Sequence, residues 1–480
     1  MDRHHALRRS RCRPMVDCLE DRVLPTITIF EIPDVHNPGF IQLRIVGDNF
    51  AQNLAITDNQ GGLNQIGING QGTTPVQRVF LRNPNGTVIS TFLTSAMDGL
   101  TTTTGLFVNV SSLDINLSGG NDSLTYNLTG FNAGAQTRSI SVNMGAGNNS
   151  FTVSSLASIV GANITINYLG GTGIDTVNYT FAGIDNSRVS LTGDTGLGND
   201  SATVSFTGTI TNQSVVTNTL AMNAGNDTLT VNVTGDVNTN SVLSNNLDLG
   251  GGTNVATYTQ SNSVLTNAEV NLKLLGGANV DHVSMQLNNT VLNTGQFNAA
   301  VDLGASNDVF NGSYGPGFQI TGAGAQASID VGGGVGNDTI NFTGTGAGAT
   351  IAGLLDVNLH GDAGNDFIND VANGPSSLVL TAPGNYRLRI DGGDGNDTIG
   401  VNLSNTAAST GNYDIAINGG NGADSVGFSL ATNAAAGLTF NPQGSILLDG
   451  GPPAPFPGQL NNTVNLINPD NAPIIVLNFP

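Results

Sequence analysis

The stretch LRIDGGDGNDTIGVNL, from Leu388 to Leu403, contains the unit from which most of the chain is built. Leu388 and Ile390 alternate with polar residues before the glycines, and Ile399, Val401 and Leu403 alternate after them. Alternation with period two marks a strand with one apolar face. Between the two runs, Gly392, Gly393 and Gly395 permit the backbone to turn sharply, and Asp397 is the residue type that caps such turns. The stretch therefore reads as strand, turn, strand.

Working outward, G-x-G-N-D turns or near variants recur with their Asp or Asn at Asp122, Asn149, Asp175, Asp200, Asp227, Asn254, Asp281, Asp308, Asp338, Asp366, Asp397, Asp424 and, in a degenerate last copy, Asn462. Most steps are close to 27 residues; the spacing loosens toward the C-terminus. The flanking alternation recurs as well, in Ile115 and Leu117, Val142 and Met144, and Leu247 and Leu249 before the turns. After them it recurs in Leu124, Tyr126 and Leu128, in Val177, Tyr179 and Phe181, and in Val283, Met285 and Leu287.

A unit of this size cannot bury its own apolar face, but copies stacked about 4.8 Å apart bury it continuously. The expected fold is all-β, a parallel β-helix or β-solenoid of about 27 residues per coil. Its rival is an antiparallel β-meander or sandwich array that uses each Gly turn as a hairpin. That reading fits less well, because hairpins favour two-residue loops. Thirteen coils would form a rod roughly 60 Å long at that spacing. Each coil has two or three strands, with room for a short third one around Val242 and Leu243.

Composition agrees. The 480 residues include 65 Gly and no Trp, and only 10% are charged, a balance that suits turns and short strands and makes helix scarce. Apolar residues still reach 38%, enough for a continuous core rather than disorder. The net charge is −21, with Arg3, Arg8, Arg9, Arg11, Arg13 and Arg22 clustered at the start. The acidic remainder disfavours nucleic acid and anionic membrane and favours cations. Of the 35 acidic residues only Glu20, Glu31 and Glu269 are Glu, so the acidity is expected in Asp-rich loops. Cys12 and Cys18 precede the repeats, which therefore hold together without disulfides.

Four segments follow. Residues 1–25 form a basic leader, expected to be disordered, that ends in LEDRVLP and lacks the apolar run of a secretory signal. Residues 26–113 form an N-terminal β capping region, in which GDNFAQNLAI, Gly47 to Ile56, reads as a decayed copy. Residues 114–450 are the solenoid, and 451–480 a Pro-rich C-terminal cap. No stretch reaches transmembrane length.

Leu19 to Pro25, LEDRVLP, resembles the LEPR-XLL motif near the N-terminus of long, repetitive, exported bacterial proteins, with Asp21 where that motif has Pro. The resemblance covers about seven residues and implies an extracellular or cell-surface location. Gly170 to Asp175, Gly333 to Asp338, Gly392 to Asp397 and Gly419 to Asp424 each carry GGxGxD. These turns resemble the RTX, or hemolysin-type, calcium-binding repeat. That resemblance implies Ca²⁺ held by Gly carbonyls and Asp carboxylates, although here one loop recurs per coil rather than two.

Calcium takes six to eight oxygen ligands, and carboxylates stacked without it repel. The expected metal residues are Asp338, Asp362, Asp366, Asp394, Asp397 and Asp424 with Gly333, Gly392 and Gly419. Asp175, Asp281 and Asp308 form a weaker set. Alternatively each Asp or Asn only caps its loop as an Asx turn, as Asn149 and Asn254 suggest.

No catalytic residue is expected. Lys273 is the only lysine, the repeat arginines Arg138, Arg188, Arg387 and Arg389 look isolated, and His282 and His360 read as ordinary loop residues. The sequence is read as a non-catalytic secreted or surface repeat protein serving adhesion, matrix or envelope structure. Its expected partners are calcium ions, cell-surface polysaccharide or other envelope proteins. The competing reading is a carbohydrate-active β-helix enzyme, a polysaccharide lyase or hydrolase.

Overall fold

A computed structural model describes residues 27–59, 65–71, 76–82, 88–91, 105–129, 136–322, 324–346, 349–372, 378–405, 410–432, 446–450, 463–467 and 474–477. The leader with LEDRVLP and the last turn at Asn462 lie outside the described residues.

The solenoid reading holds: the described residues are all-β, without helix, and wind a parallel β-solenoid. One coil serves as the pattern. Strand Arg188–Leu197 runs up to the turn, Ser201–Phe206 leaves it, Ile210–Thr211 forms a brief third side, and Val215–Ala221 begins the next coil. Each strand pairs in parallel with its equivalent one coil on, as in Ser201↔Thr228 through Phe206↔Val233 and Val215↔Val242 through Ala221↔Asp248. Three sheets result: an approach sheet before the turn, a departure sheet after it, and a sheet of two- and three-residue strands. The count of strands per coil is thus three. The third strand is Val237–Asn238 rather than the segment around Val242, which opens the approach strand Val242–Asp248.

Alternation selects what faces inward. In Thr176–Phe181, Val177, Tyr179 and Phe181 are buried while Thr176, Asn178 and Thr180 face out. Like residues stack from coil to coil, as where the rings of Phe181 and Phe206 lie 5.8 Å apart, nearly parallel. The buried side chains form one cluster from Ile27 to Leu448. Each fully buried Val, Leu, Ile or Phe contributes roughly 1.5–3 kcal/mol, so the stability of a coil comes mainly from its contacts with neighbouring coils.

The N-terminal region departs from the coil pattern. Ile27–Pro33 pairs antiparallel with Ile41–Val46, and Asn53–Asn59 with Gln65–Gly70, which continues antiparallel to Gly105–Phe107. Ile41–Val46 and Asn53–Asn59 themselves stack in parallel on Val110–Asn116 and Ser123–Leu128. The decayed copy therefore stacks on the first coil, in register along Asn53–Asn59 and with one irregularity at Ile41/Gln42, and the antiparallel strands beside it shield an edge that would otherwise pair with another chain.

A buried ion pair fastens this region to the coils. Arg138 reaches Asp58 with Nε 2.7 Å from Oδ2, Tyr126 donates its hydroxyl hydrogen to the same carboxylate, and Arg138 also donates to the Val110 carbonyl. Both side chains of the ion pair are wholly buried. At the other end, Ile446–Asp449 and Ile474–Leu477 extend the approach sheet, and Thr463–Ile467 extends the departure sheet.

Candidate functional site

The turn rungs form one column along the rod. The Asp or Asn of every described turn, from Asp122 to Asp424, is 2% exposed or less. Each points inward, and its Oδ1 accepts the backbone N–H of the equivalent residue one coil earlier. The series starts with Gln52 N–H to Asp122 at 2.7 Å and ends with Asp397 N–H to Asp424 at 2.9 Å. The decayed first coil joins with Gln52 in the Asx position, a substitution that conceals the rung in the sequence.

A second column runs outside the first with the opposite polarity. Asn at the position before the rung accepts from the coil after it, as in Asn337 N–H to Asn307, Asn365 N–H to Asn337 and Asn396 N–H to Asn365. Sequence reasoning passed over this exposed column, although the recurrent Asn of G-x-G-N-D is its signal. Asp362 and Asp394 also lie on the outside: Asp362 Oδ2 accepts Gly334 N–H at 3.2 Å, and Asp394 Oδ1 accepts from Asn421 at 2.7 Å. The expected metal residues thus divide into an inner row, Asp338, Asp366, Asp397 and Asp424, and an outer pair, Asp362 and Asp394.

The acidic residues of the inner row sit in the turns, as expected of Asp-rich loops, but they are buried there. Burial raises these carboxyls, to about 7 at Asp122, Asp308 and Asp366 and to about 6 at Asp227, Asp338 and Asp397. The amide hydrogen bond to the neighbouring coil opposes the shift, and neighbouring aspartates add to it at Asp366 and Asp397. The second carboxylate oxygen shares that burial: Oδ2 of Asp122, Asp175, Asp200, Asp227, Asp308, Asp338, Asp366 and Asp397 is buried without a hydrogen-bond partner.

What faces that oxygen is set five residues earlier, at the first Gly of GGxGxD. In the last four described turns this residue is Gly333, Gly361, Gly392 and Gly419. A Cβ on Gly392 would sit 2.6 Å from Asp397 Oδ2 and 2.2 Å from the Gly419 carbonyl oxygen of the next coil. On Gly333 it would sit 2.7 Å from Asp338 Oδ2 and 2.8 Å from the Gly361 carbonyl oxygen. Carboxylate and carbonyl oxygens of neighbouring coils therefore converge on one spot that only Gly leaves clear.

Elsewhere that position holds the buried side chains of Leu117, Met144, Met222, Leu249 and Leu303. Leu303 thereby separates Asp308 from the set. Asp281 follows Gly276, but its Oδ2 already accepts Gly277 N–H at 2.8 Å. Asp175 follows Gly170, yet its coil stands alone between coils carrying Met144 and Thr195.

Among the described residues, no three His, Cys, Asp or Glu side chains gather as a metal group. The inner row supplies one carboxylate per coil, so a cation there would draw its remaining ligands from backbone carbonyls, as a hard ion accepts.

The charged outer face of the approach sheet differs from the sequence reading too. Arg387 and Arg389 are not isolated: Arg387 Nη1 lies 3.1 Å from Asp356, and Arg389 Nη2 lies 2.7 Å from Asp414. His360 Nε2 lies 3.4 Å from Asp330 on the same face. These pairs join successive coils, and the Asp356 and Asp414 carboxylates are taken up by guanidinium groups.

Fold and turn column together define a three-sided parallel β-solenoid with an internal aspartate row. No family model, curated protein or solved structure matches the chain. No helix among the described residues is long and apolar enough to cross a membrane.

Proposed function

We propose that the chain is a non-catalytic extracellular or cell-surface scaffold, of the adhesive, matrix or envelope kind, whose C-terminal coils bind Ca²⁺. The observation that supports the calcium reading is the run of successive coils in which Gly333, Gly361 and Gly392 let a carbonyl oxygen of the next coil approach the partnerless Oδ2 of Asp338, Asp366 and Asp397, where earlier coils mostly carry a bulky side chain. Gly333, Gly392 and Gly419 are part of these sites, and Asp424 ends the row. Asp362 and Asp394 lie outside and add negative potential. The bound ion would neutralise carboxylates that burial otherwise drives toward the protonated form.

The scaffold reading draws on the filled core and the quasi-one-dimensional stacking, which suit a rod presenting long outer faces. An export-associated leader fits the same picture. A calcium titration of the full chain, followed by circular dichroism and thermal melting, tests it. A rise in Tm at millimolar Ca²⁺, lost in Asp366→Asn/Asp397→Asn, is the expected result. An unchanged Tm refutes the calcium part. Assays for cleavage of neutral and acidic polysaccharides test the competing reading of a carbohydrate-active enzyme, and turnover would displace the scaffold.

A further inference from the structure

We infer that an open groove at the bend from the short-strand sheet into the approach sheet binds a neutral sugar unit, such as the end of a glycan chain. It spans three successive coils, has a volume of about 250 Å³, and is lined by Asn240, Val242, Asn267, Glu269, Thr294 and Gln296. It lies far along the chain from the C-terminal turns and does not depend on calcium.

The groove arises where a column of buried serines stops. At this bend Ser187 N–H donates to Ser214 Oγ, and Ser214 N–H to Ser241 Oγ. The pairing Val242↔Glu269↔Gln296 puts Ala268 and then Gly295 in the next two places of that column. The Ser hydroxyl is lost at Ala268, and Gly295 is required by close packing, since a Cβ there would lie 2.5 Å from Leu265 Cβ. Side chains from equivalent positions, Asn240, Asn267 and Thr294, rim the depression.

The lining selects the ligand. Glu269 repels anions, so phosphate, nucleic acid and acidic sugars are disfavoured. Glu269 is the only charged side chain of the lining, and no group of three acidic or histidine side chains gathers among the described residues. What remains is a mixture of carboxamides, one hydroxyl, one carboxylate and an apolar patch at Val242, which matches a ring with hydroxyls at its edge and C–H groups on its face. Several of these groups are uncommitted. The side chains of Asn240 and Gln296 make no hydrogen bond among the described residues, and Glu269 accepts only a 3.4 Å contact from Asn298. The depression is open to solvent and smaller than sites that enclose drug-sized ligands, about 300–1,000 Å³, so a ligand would rest one edge in it rather than be engulfed.

The test uses the full chain with cellotriose, mannotriose, chitotriose and trigalacturonate, followed by saturation-transfer NMR and calorimetry in Ca²⁺ and in EDTA. At least one neutral trisaccharide is expected to bind in both buffers. Its affinity should fall roughly tenfold in Glu269→Ala and in Gln296→Ala, the loss of one hydrogen bond to a charged or well-placed group. Asn358→Ala, on the same sheet several coils away, should leave it unchanged. Both groove substitutions are at the surface, and an unchanged melting curve separates lost binding from lost fold. Preference for trigalacturonate, binding indifferent to both substitutions, or no binding of any neutral sugar overturns the proposal. Binding that survives EDTA while the calcium titration fails refutes the turn-row reading alone.

Discussion

Each rung aspartate gives one oxygen to its neighbour's amide and keeps the other, and the two oxygens have opposite effects on the fold. Oδ1 of Asp366 satisfies the N–H of Asp338 at 2.7 Å, whereas Oδ2 is buried with its charge and no partner. Asp366→Asn keeps the acceptor and removes the charge, so at pH 8 in EDTA the variant is expected to melt above the parent. Asp366→Ala removes both and orphans a buried N–H, a cost of about 1–3 kcal/mol that urea denaturation should register. If Asn and Ala variants proved equally destabilised, the amide would not be what the rung serves. The pH dependence has a definite sign. The unfolded carboxyl titrates near its ordinary 3.8, whereas burial raises Asp338 to about 6 and Asp366 to about 7 in the folded chain. Between these values the folded state holds more protons, so the metal-free protein gains stability as pH falls from 8 toward 5. Under the proposed calcium reading the ion would bind the ionised form, so its stabilisation should be larger at pH 8 than at pH 5.

At the scale of the element, the glycines of one turn do different work. Gly252 has φ of 117°, and a Cβ there would lie 1.6 Å from the Gly225 carbonyl oxygen of the preceding coil. Gly252→Ala therefore meets both strain and collision. A loss of at least roughly 2 kcal/mol is expected by chemical denaturation; a smaller loss would mean that the turns can separate locally. The N-terminal fastening gives a second test. Arg138→Ala leaves the buried Asp58 without its counter-charge, with only the Tyr126 hydroxyl still bonded to it, which costs about 3–5 kcal/mol. The loss should appear as early melting and added proteolysis near residues 41–59, with the later coils protected. Strands and turns were legible because alternation and G-x-G-N-D are local patterns. The inward direction of the rung was not, since Asp is the common residue of exposed Asx turns and only the next coil's amide explains its burial. Gln52 broke the motif while keeping its place, and the two-residue third strands, such as Ile184–Asp185, are too short to leave a period.

At the scale of the whole molecule, the near-constant step fixed a solenoid because a parallel stack requires equal path lengths around each coil. The longer steps leave the rungs in line: Asp308 N–H still meets Asp338 and Asp366 N–H still meets Asp397. The candidate site was legible as residue types but not as an arrangement. GGxGxD picked out Gly333, Gly392 and Gly419, while the separation of Asp362 and Asp394 from the inner row depends on which side of the backbone each side chain takes. Likewise the pairing of Arg387 and Arg389 with Asp356 and Asp414 needs three coils in register, which a list of scattered arginines does not reveal.

The central claim is that protons or Ca²⁺ must neutralise the inner aspartate row for the C-terminal coils to be fully stable. Thermal melting from pH 5 to pH 8, with EDTA and with millimolar Ca²⁺, tests it most directly when the parent is compared with an Asp338→Asn/Asp366→Asn/Asp397→Asn variant. The parent's Tm should fall as pH rises in EDTA and recover in Ca²⁺ at pH 8, while the variant shows a flatter pH profile and no calcium response. A parent Tm that rises with pH in EDTA, or a variant that keeps the parent's calcium response, would contradict the account.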